Sequence, residues 1–385
     1  MLLPEQIINA LEEVSLDFQS SNREFSLQVA HLQQKMKSHK SLPTNTIRSR
    51  LGWPEQSPGA YPTGEQSLSD QDWLSCTHLP SDNSAMEDWK DWAHKILSNV
   101  TTCAVDGSQI FPAGHWAVPF GAVQIATFEN HHDGTYSKNT RFEIVPPKDF
   151  SSDDDSSFRQ VISERRHRAE TATLANWIKA QSSEKSSSLA IFDGTLITSF
   201  ASGPDRPSYV KSMTRLLEAS ATSKIPLVAY IDGSRARDLS TMHGHLAGIP
   251  TPRIPDSTLL KNSDWGSRTP VYICARNQGL DGYGTWARKI GFLYLRSSRA
   301  GLPARLEFPM WIVEDGLLED VVDQVRAEII AQGSGYPYAI EAADVAAVLN
   351  ADDRRRFEAI MSDFANKHGF HVSLRTKDHS KRRRR

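Results

Sequence analysis

The sequence predicts an α/β fold in which a mixed β-sheet is flanked by helices. Residues 100–146 contain three β-prone runs joined by turns, and residues 158–231 alternate apolar strands with helices. Strands joined by short turns favour antiparallel pairing, whereas alternation of strand and helix favours parallel pairing. We therefore expect a sheet with both kinds of neighbour.

Helical segments are predicted before this sheet. Residues 1–40 have few helix breakers, and residues 86–99 form a second amphipathic segment. The first segment has an apolar stripe at helical spacing, formed by Ile7, Leu11, Val14 and Phe18. Residues 41–87 are rich in Pro, Ser, Gly and Asp, which is typical of a linker with one short helix. We expect residues 1–99 to be a helical extension and linker.

The remaining elements define the expected main domain, residues 100–372, with a β-rich insertion at about 249–315. The predicted strands are 101–105, 116–128, 140–146, 189–192, 226–231, 270–275, 290–296 and 304–313. The predicted helices are 158–181, 208–222, 316–332, 339–349 and 353–368.

Charge is concentrated at the end of the sequence. The 385 residues carry a net charge of -2, but residues 375–385 (RTKDHSKRRRR) carry +6. We expect a basic tail at 373–385 that binds phosphate backbones, in which Lys377, Lys381 and Arg382 add affinity that falls with salt. The alternative is a solvated end that aids solubility.

Several protein classes are excluded by pattern. No run of 18 apolar residues exists, so we expect no transmembrane helix and no membrane contact. The start lacks the pattern of a secretory signal. Three distant cysteines offer neither a disulfide framework nor zinc-ligand spacing, which indicates a cytoplasmic protein. The sequence has no P-loop.

Acidic residues follow three of the predicted strands. Asp106, Asp193 and Asp232 each end a strand and precede a glycine. Ligands of open α/β sheets bind beyond the carboxyl ends of strands, and a following glycine leaves space beside the carboxylate. A single Asp-Gly pair is more often just a turn. Several on neighbouring strands favour a metal or catalytic site.

Two helices carry acids among apolar neighbours. Glu170 shares a helix face with Leu174 and Trp177, and Asp344 has apolar residues at i-4, i+3 and i+4. We expect both to point inward, where a carboxylate needs a cation or a metal. An ion pair of Glu170 with Arg166 is the alternative. Together with the strand-end acids they predict an oxygen-rich site for Mg²⁺ or Mn²⁺, as in nucleases and polymerases.

Four sequence motifs carry these acids, in the order strand, helix, strand and helix. They are AVDGS at 104–108, RRHRAETATL with Arg166 and Glu170, LAIFDGTL at 189–196, and Gly335-Tyr336-Pro337 followed by Asp344. In combination they resemble the NurA nuclease family, which has a ribonuclease H-like fold. Many family members have His at the position of Asp344, which leaves the preferred metal open. Glu164 is a rival to Glu170 as the helix ligand.

The resemblance implies a DNA nuclease that depends on Mn²⁺ or Mg²⁺, and the cluster of acids predicts two ions per active site. It implies cleavage of single- and double-stranded DNA with 5′-to-3′ exonuclease activity. It also implies a homodimer that works with a HerA-type hexameric ATPase in DNA end resection, repair or phage defence. The missing P-loop agrees with a separate ATPase.

The expected roles follow from these motifs. Asp106 and Asp193 bind metal directly, Glu170 completes one site and Asp344 the other. Tyr336 positions a phosphate or the attacking water, or else is a core aromatic residue. We expect three arginines to contact DNA phosphates: Arg166, Arg235 and Arg237.

Two other functions are compatible with the fold. One is a catalytically inactive ribonuclease H-like subunit that binds DNA or acts as a scaffold in a HerA-type complex. The other is a phosphatase with a strand-end Asp nucleophile, although its D-x-D pattern is absent here. The helices at 1–40 and 86–99 are expected either to contact a second copy or the ATPase, or to pack on the core.

Overall fold

The computed structural model describes residues 3–40, 42–67, 86–112, 118–150, 155–181, 187–250, 253–276 and 278–369. Its strands are β1 (Gly59–Pro62), β2 (Val100–Ile110), β3 (Gly121–Asn130), β4 (Tyr136–Val145), β5 (Ser187–Asp193), β6 (Leu227–Ile231), β7 (Tyr272–Ala275), β8 (Ile290–Leu295) and β9 (Ala304–Pro309). Within the described residues these strands form one mixed sheet, in the order β1-β7-β8-β9-β6-β5-β2-β3-β4. The predicted α/β class is therefore confirmed.

Helices flank this sheet. They are α1 (Pro4–Glu13), α2 (Ser15–Lys40), α3 (Thr44–Leu51), α4 (Met86–Leu97), α5 (Asp155–Gln181), α6 (Arg206–Ser223), α7 (Asp238–Ala247), α8 (Asp256–Leu259), α9 (Trp311–Glu314), α10 (Leu318–Gln332), α11 (Tyr338–Ala347) and α12 (Ala351–His368). No helix in the described ranges has the length and apolarity needed to span a membrane.

Several elements differ from the sequence-based expectation. Strand β1 lies in the segment predicted as linker, and it forms because it pairs with β7 from far along the chain. Helices α7 and α8 were not predicted. The strand expected to reach residue 313 stops at Pro309, which has no backbone N–H to donate to a neighbouring strand. The next residues form α9 instead.

The chain divides into two compact units. The first comprises residues 1–79, 231–277 and 288–306. The second comprises residues 80–230, 278–287 and 307–385. The domain boundaries drawn from the sequence remain predictions.

The second unit has a core built on β2. This strand is antiparallel to β3 and parallel to β5, and Val105 lies opposite Phe192. Asp193 therefore ends β5 as predicted, whereas Asp106 does not end its strand: β2 continues to Ile110, because Asp106 and the residues after it still pair with β3. The two acids occupy corresponding positions on neighbouring strands, each directly after the last residue of the β2–β5 pairing. Helix α11 approaches β3 closely through small side chains, since Ala126, Ala346 and Ala347 form one buried cluster. Helix α4 packs on α10 in this unit. Of the two roles expected for residues 86–99, contact with a partner or packing on the core, the structure therefore shows the packing.

The first unit contains a buried polar interior. The two imidazoles of His39 in α2 and His243 in α7 face each other, with their Nδ1 atoms 3.1 Å apart. Asp256 is fully buried and accepts hydrogen bonds from two backbone N–H groups at the start of α7. The predicted apolar stripe of the first helices is instead exposed, at Ile7, Leu11, Val14 and Phe18.

Candidate active site

Asp106 lies at the centre of a group of acidic side chains in the second unit. Its carboxyl is half-buried, and burial raises its pKa to about 6. The charges of Asp344 and Asp193 raise this pKa further, while that of Arg166 lowers it. The structure therefore brings acids from β2, β5 and α11 within electrostatic range of one another.

Glu170 joins this group from α5. The residue is buried, and burial raises the pKa of its carboxyl to about 7, with further increases from the charges of Asp106 and Asp193. Arg166, one turn earlier, lowers this pKa, and its Nε lies 3.5 Å from Glu170 Oε1. That oxygen is buried and makes no hydrogen bond within the described residues. Beside its ion pair with Arg166, Glu170 Oε1 can therefore still accept a hydrogen bond or ligate a cation.

Gly107 makes room for Glu170. A Cβ atom built at Gly107 would lie 2.5 Å from Glu170 Oε1 and 2.8 Å from Arg166 Cγ. Arg166 also donates a hydrogen bond to the Gly107 carbonyl oxygen at 3.0 Å. Glycine is therefore required after Asp106 for close approach of the helix, while the backbone of Gly107 is that of an ordinary strand residue paired with Ile125.

Tyr336 reaches the acidic group through its hydroxyl, which donates to Asp193 Oδ1 at 2.7 Å. The fully buried Tyr230 supports this position. Its hydroxyl donates to the Gly335 carbonyl oxygen at 2.9 Å, and its ring meets that of Tyr336 edge to face at 5.0 Å. Sequence reasoning missed Tyr230, because a tyrosine within an apolar strand carries no signal beyond core packing.

Glu307 holds the loop that follows Asp193. It is buried at the end of β9, and its Oε2 accepts from the Thr195 hydroxyl at 2.7 Å and the Leu196 backbone N–H at 2.8 Å. This residue was also missed, although a charged side chain inside the apolar run ARLEFP was an available signal. Its contacts fix the direction in which the chain leaves Asp193.

Asp344 departs from the expected orientation. It is exposed, because α11 turns its small residues Ala343, Ala346 and Ala347 towards the sheet. The expectation that Asp344 is buried is therefore wrong. It lies at the solvent side of the group and still acts on the pKa of Asp106.

The rival Glu164 has other partners. Its carboxylate accepts a hydrogen bond from the Ser208 hydroxyl of α6 and lies 3.8 Å from Arg168 Nη1. Of the two acids on α5, the structure therefore brings Glu170 to Asp106.

The other predicted DNA contacts lie elsewhere in the chain. Arg235 and Arg237 are exposed in the first unit. Lys377, Lys381 and Arg382 lie outside the described residues. Contacts of these residues with DNA remain predictions, as does that of Arg166.

The donor set fits a hard divalent cation. No three His, Cys, Asp or Glu side chains among the described residues are arranged to hold a metal ion. The acidic group nevertheless offers only oxygen donors, which Mg²⁺ and Mn²⁺ prefer, and it includes the buried Glu170 oxygen described above. A bound cation favours ionised carboxylates, whereas burial and mutual repulsion here disfavour them.

Residues 100–349 match the family model of the NurA domain. The chain belongs to the NurA family. The match covers about two thirds of the sequence and contains all five motif residues, Asp106, Glu170, Asp193, Tyr336 and Asp344. No curated protein sequence matches this chain.

The chain is also similar to solved structures. The NurA nuclease from Sulfolobus solfataricus is 12% identical, with 95% of this chain and 98% of that one covered, and a TM-score of 0.58. A NurA structure bound to dAMP and manganese is 12% identical over 98% and 99% of the two chains, with a TM-score of 0.44. The catalytic domain of human endonuclease V is 12% identical over 74% and 99%, with a TM-score of 0.32. The likeness to the first structure shows that the fold of that NurA nuclease is present here.

Proposed function

We propose that this NurA-family chain is a divalent-metal-dependent nuclease that hydrolyses phosphodiester bonds in single- and double-stranded DNA. The observation that carries the proposal is the convergence of Asp106, Glu170, Asp193 and Asp344 from four separate elements. Membership of the NurA family supports a nuclease, and the all-oxygen donor set supports Mn²⁺ or Mg²⁺.

The acids have distinct roles in this proposal. Asp106 and Asp193 hold the cations directly, Glu170 completes one site and Asp344 the other. When bound there, two divalent cations would supply activation of a water molecule and stabilisation of the leaving oxygen of a phosphodiester. Asp344 suits this role because a carboxylate, like the imidazole of many family members, can ligate Mn²⁺.

Two neutral or basic groups complete the site. The Tyr336 hydroxyl, aligned by its hydrogen bond to Asp193, orients the attacking water or a phosphate oxygen. The Arg166 guanidinium offsets the negative charge of Glu170, and in this proposal it also contacts a DNA phosphate.

The family resemblance supports a homodimer that cleaves with 5′-to-3′ polarity beside a HerA-type hexameric ATPase in DNA end resection, repair or phage defence. The exposed apolar side chains of Ile7 and Leu11 on α1 offer a surface for one of these partners. Replacing both with serine should weaken dimerisation or ATPase binding in light-scattering and pull-down measurements. Wild-type behaviour in both measurements would exclude this surface.

The nuclease proposal is tested with end-labelled DNA in Mn²⁺, Mg²⁺ or EDTA. Wild-type protein should cleave with metal only, and Asp106→Asn should be inactive. The matched control is Asp133→Asn, which alters an exposed Asp-Gly pair in the turn between β3 and β4 and should cleave normally. DNA binding without cleavage in either metal would favour the inactive scaffold instead, and cleavage by Asp106→Asn would reject the site.

A further inference from the structure

Glu328 lies in α10 and is completely buried. Its Oε1 accepts a hydrogen bond from the Thr102 hydroxyl at 2.7 Å and lies 3.0 Å from His132 Nε2. Its Oε2 accepts from the Ala339 backbone N–H at 2.8 Å. Burying a carboxylate is unfavourable unless its oxygens are hydrogen-bonded, so these three donors account for its presence in the core.

His132 extends this network from the turn between β3 and β4. The side-chain nitrogen of Asn130 lies 3.2 Å from His132 Nδ1, and Asn130 Oδ1 accepts the His132 backbone N–H at 3.1 Å. Because Nδ1 faces an amide donor and Nε2 faces a carboxylate, the proton of the neutral ring belongs on Nε2. The carboxylate of Glu328 therefore joins β2, the β3–β4 turn and α11.

The contact with α11 is at the helix start. Ala339 is the second residue of α11, and Pro337 before the helix provides no side-chain cap. The first backbone N–H groups of a helix lack partners within it, and a negative charge there is favourable. Glu328 thus anchors the segment that begins with Tyr336 and carries Asp344.

The hydrogen bond from Thr102 to Glu328 lies on the same face of β2 as the side chain of Asp106. Thr102 and Asp106 are four residues apart in one strand, so their side chains point to the same side of the sheet. Glu328 consequently determines how the strand bearing Asp106 is held against the helix bearing Asp344.

We propose that Glu328 is a positioning residue that holds Asp344 and Tyr336 beside Asp106, and so sets the affinity of the site for its divalent cation. This inference rests on the proposed metal-dependent nuclease function. Glu328 itself touches neither the cation nor DNA.

The test is calorimetric titration of the full-length protein with MnCl₂ in the absence of DNA. Glu328→Asp keeps the charge but withdraws the carboxylate by one methylene, and it should lower Mn²⁺ affinity on the order of 10–100-fold. Glu328→Gln keeps the length but offers one accepting oxygen where the carboxylate has two, so its affinity should lie between those of Glu328→Asp and wild type. Thr102→Val, which detaches the carboxylate from β2 alone, should also weaken Mn²⁺ binding.

Cleavage kinetics provide a second measurement. In Glu328→Asp the Mn²⁺ concentration for half-maximal rate should rise by the same factor, with an unchanged KM for DNA. The control is Asp323→Asn, which alters another buried acid of α10, one that pairs with Arg326 in the same helix. It should bind Mn²⁺ normally.

Wild-type Mn²⁺ affinity in both Glu328→Asp and Thr102→Val would overturn the inference, as would an equal loss in Asp323→Asn. Asp106→Asn separates the two proposals. If it loses Mn²⁺ binding while Glu328→Asp does not, only the positioning role fails. If Asp106→Asn binds Mn²⁺ like wild type, the metal-dependent function itself fails.

Discussion

Replacing Gly107 with alanine should disable the site by moving Glu170. The added Cβ would lie 2.5 Å from Glu170 Oε1, 2.8 Å from Arg166 Cγ and 2.9 Å from Ile125 Cδ1. An ordinary contact begins at 3.4 Å, so the carboxylate must retreat by about 0.9 Å. A shift of about 1 Å in a catalytic group lowers the rate by roughly 100-fold, and we expect that loss of cleavage.

The stability change should be smaller than the functional one. Overpacking a filled interior costs about 1–3 kcal/mol, and alanine recovers roughly 0.5–1 kcal/mol over glycine inside a strand. The free energy of unfolding of Gly107→Ala should therefore fall by about 0–2.5 kcal/mol, which leaves the protein folded in chemical denaturation. Mn²⁺ affinity, measured by calorimetry on the same samples, should fall together with the cleavage rate.

Two glycine variants serve as controls. Gly64→Ala meets no atom within 4 Å, so its stability and Mn²⁺ affinity should match wild type. Gly121→Ala would place a Cβ 2.3 Å from Ile162 Cδ1 in the core of the second unit, so it should lose stability while its folded fraction binds Mn²⁺ normally. A folded Gly107→Ala protein with wild-type Mn²⁺ affinity and cleavage would refute the reasoning.

Three further predictions follow from the contacts of single side chains. Tyr336→Phe removes the hydrogen bond to Asp193, so end-labelled DNA should be cleaved at least about 10-fold more slowly while the fold is unchanged; equal rates would exclude a role for the hydroxyl. Glu164→Gln should retain cleavage and Glu170→Gln should lose it, and the opposite pattern would reverse the choice of helix ligand. Burial lowers the pKa of His243 to about 3, so at pH 5 this residue binds a proton only in the unfolded chain. Between pH 7.5 and pH 5 the wild-type protein should therefore lose about 2 kcal/mol more free energy of unfolding than His243→Gln. An equal loss in both proteins, measured by chemical denaturation, would contradict this.

The direction of the His243 effect follows from the linkage between proton binding and folding. A histidine with a lowered pKa in the folded state contributes its full stabilisation above about pH 6.5, where it is neutral in both states. That contribution falls as the pH drops from about 6.5 towards 3, because only the unfolded chain binds the proton. The second imidazole, His39, also has a lowered pKa through burial and the nearby charges of Lys35 and Arg50, so it acts in the same direction.

Much of the site was visible in the sequence because it depends on local patterns. The apolar runs in β2 and β5 stop just before Asp106 and Asp193, and the parallel pairing implied by strand–helix alternation brings these two positions side by side, although β2 itself continues to Ile110. The apolar neighbours of Glu170 on α5 gave its inward direction. In each case the deciding residues lie within a few positions of one another, and backbone periodicity alone determines which way a side chain points.

The tertiary structure decided what periodicity leaves open. Asp344 has apolar neighbours along α11 yet is exposed, because close packing on β3 selects the alanine face. Glu164 and Glu170 lie on the same helix, and the choice between them came from Ser208 on α6 and Gly107 on β2.

Long-range hydrogen bonds account for the rest. Tyr336 reaches Asp193 across 143 positions, and Glu328 reaches Thr102 across 226. By themselves the residues around Tyr336 and Glu328 indicate only a turn and a helix. Local sequence sets the backbone conformation of each element, but the partner of a buried polar group depends on which distant elements pack around it, and that information exists only in the folded chain.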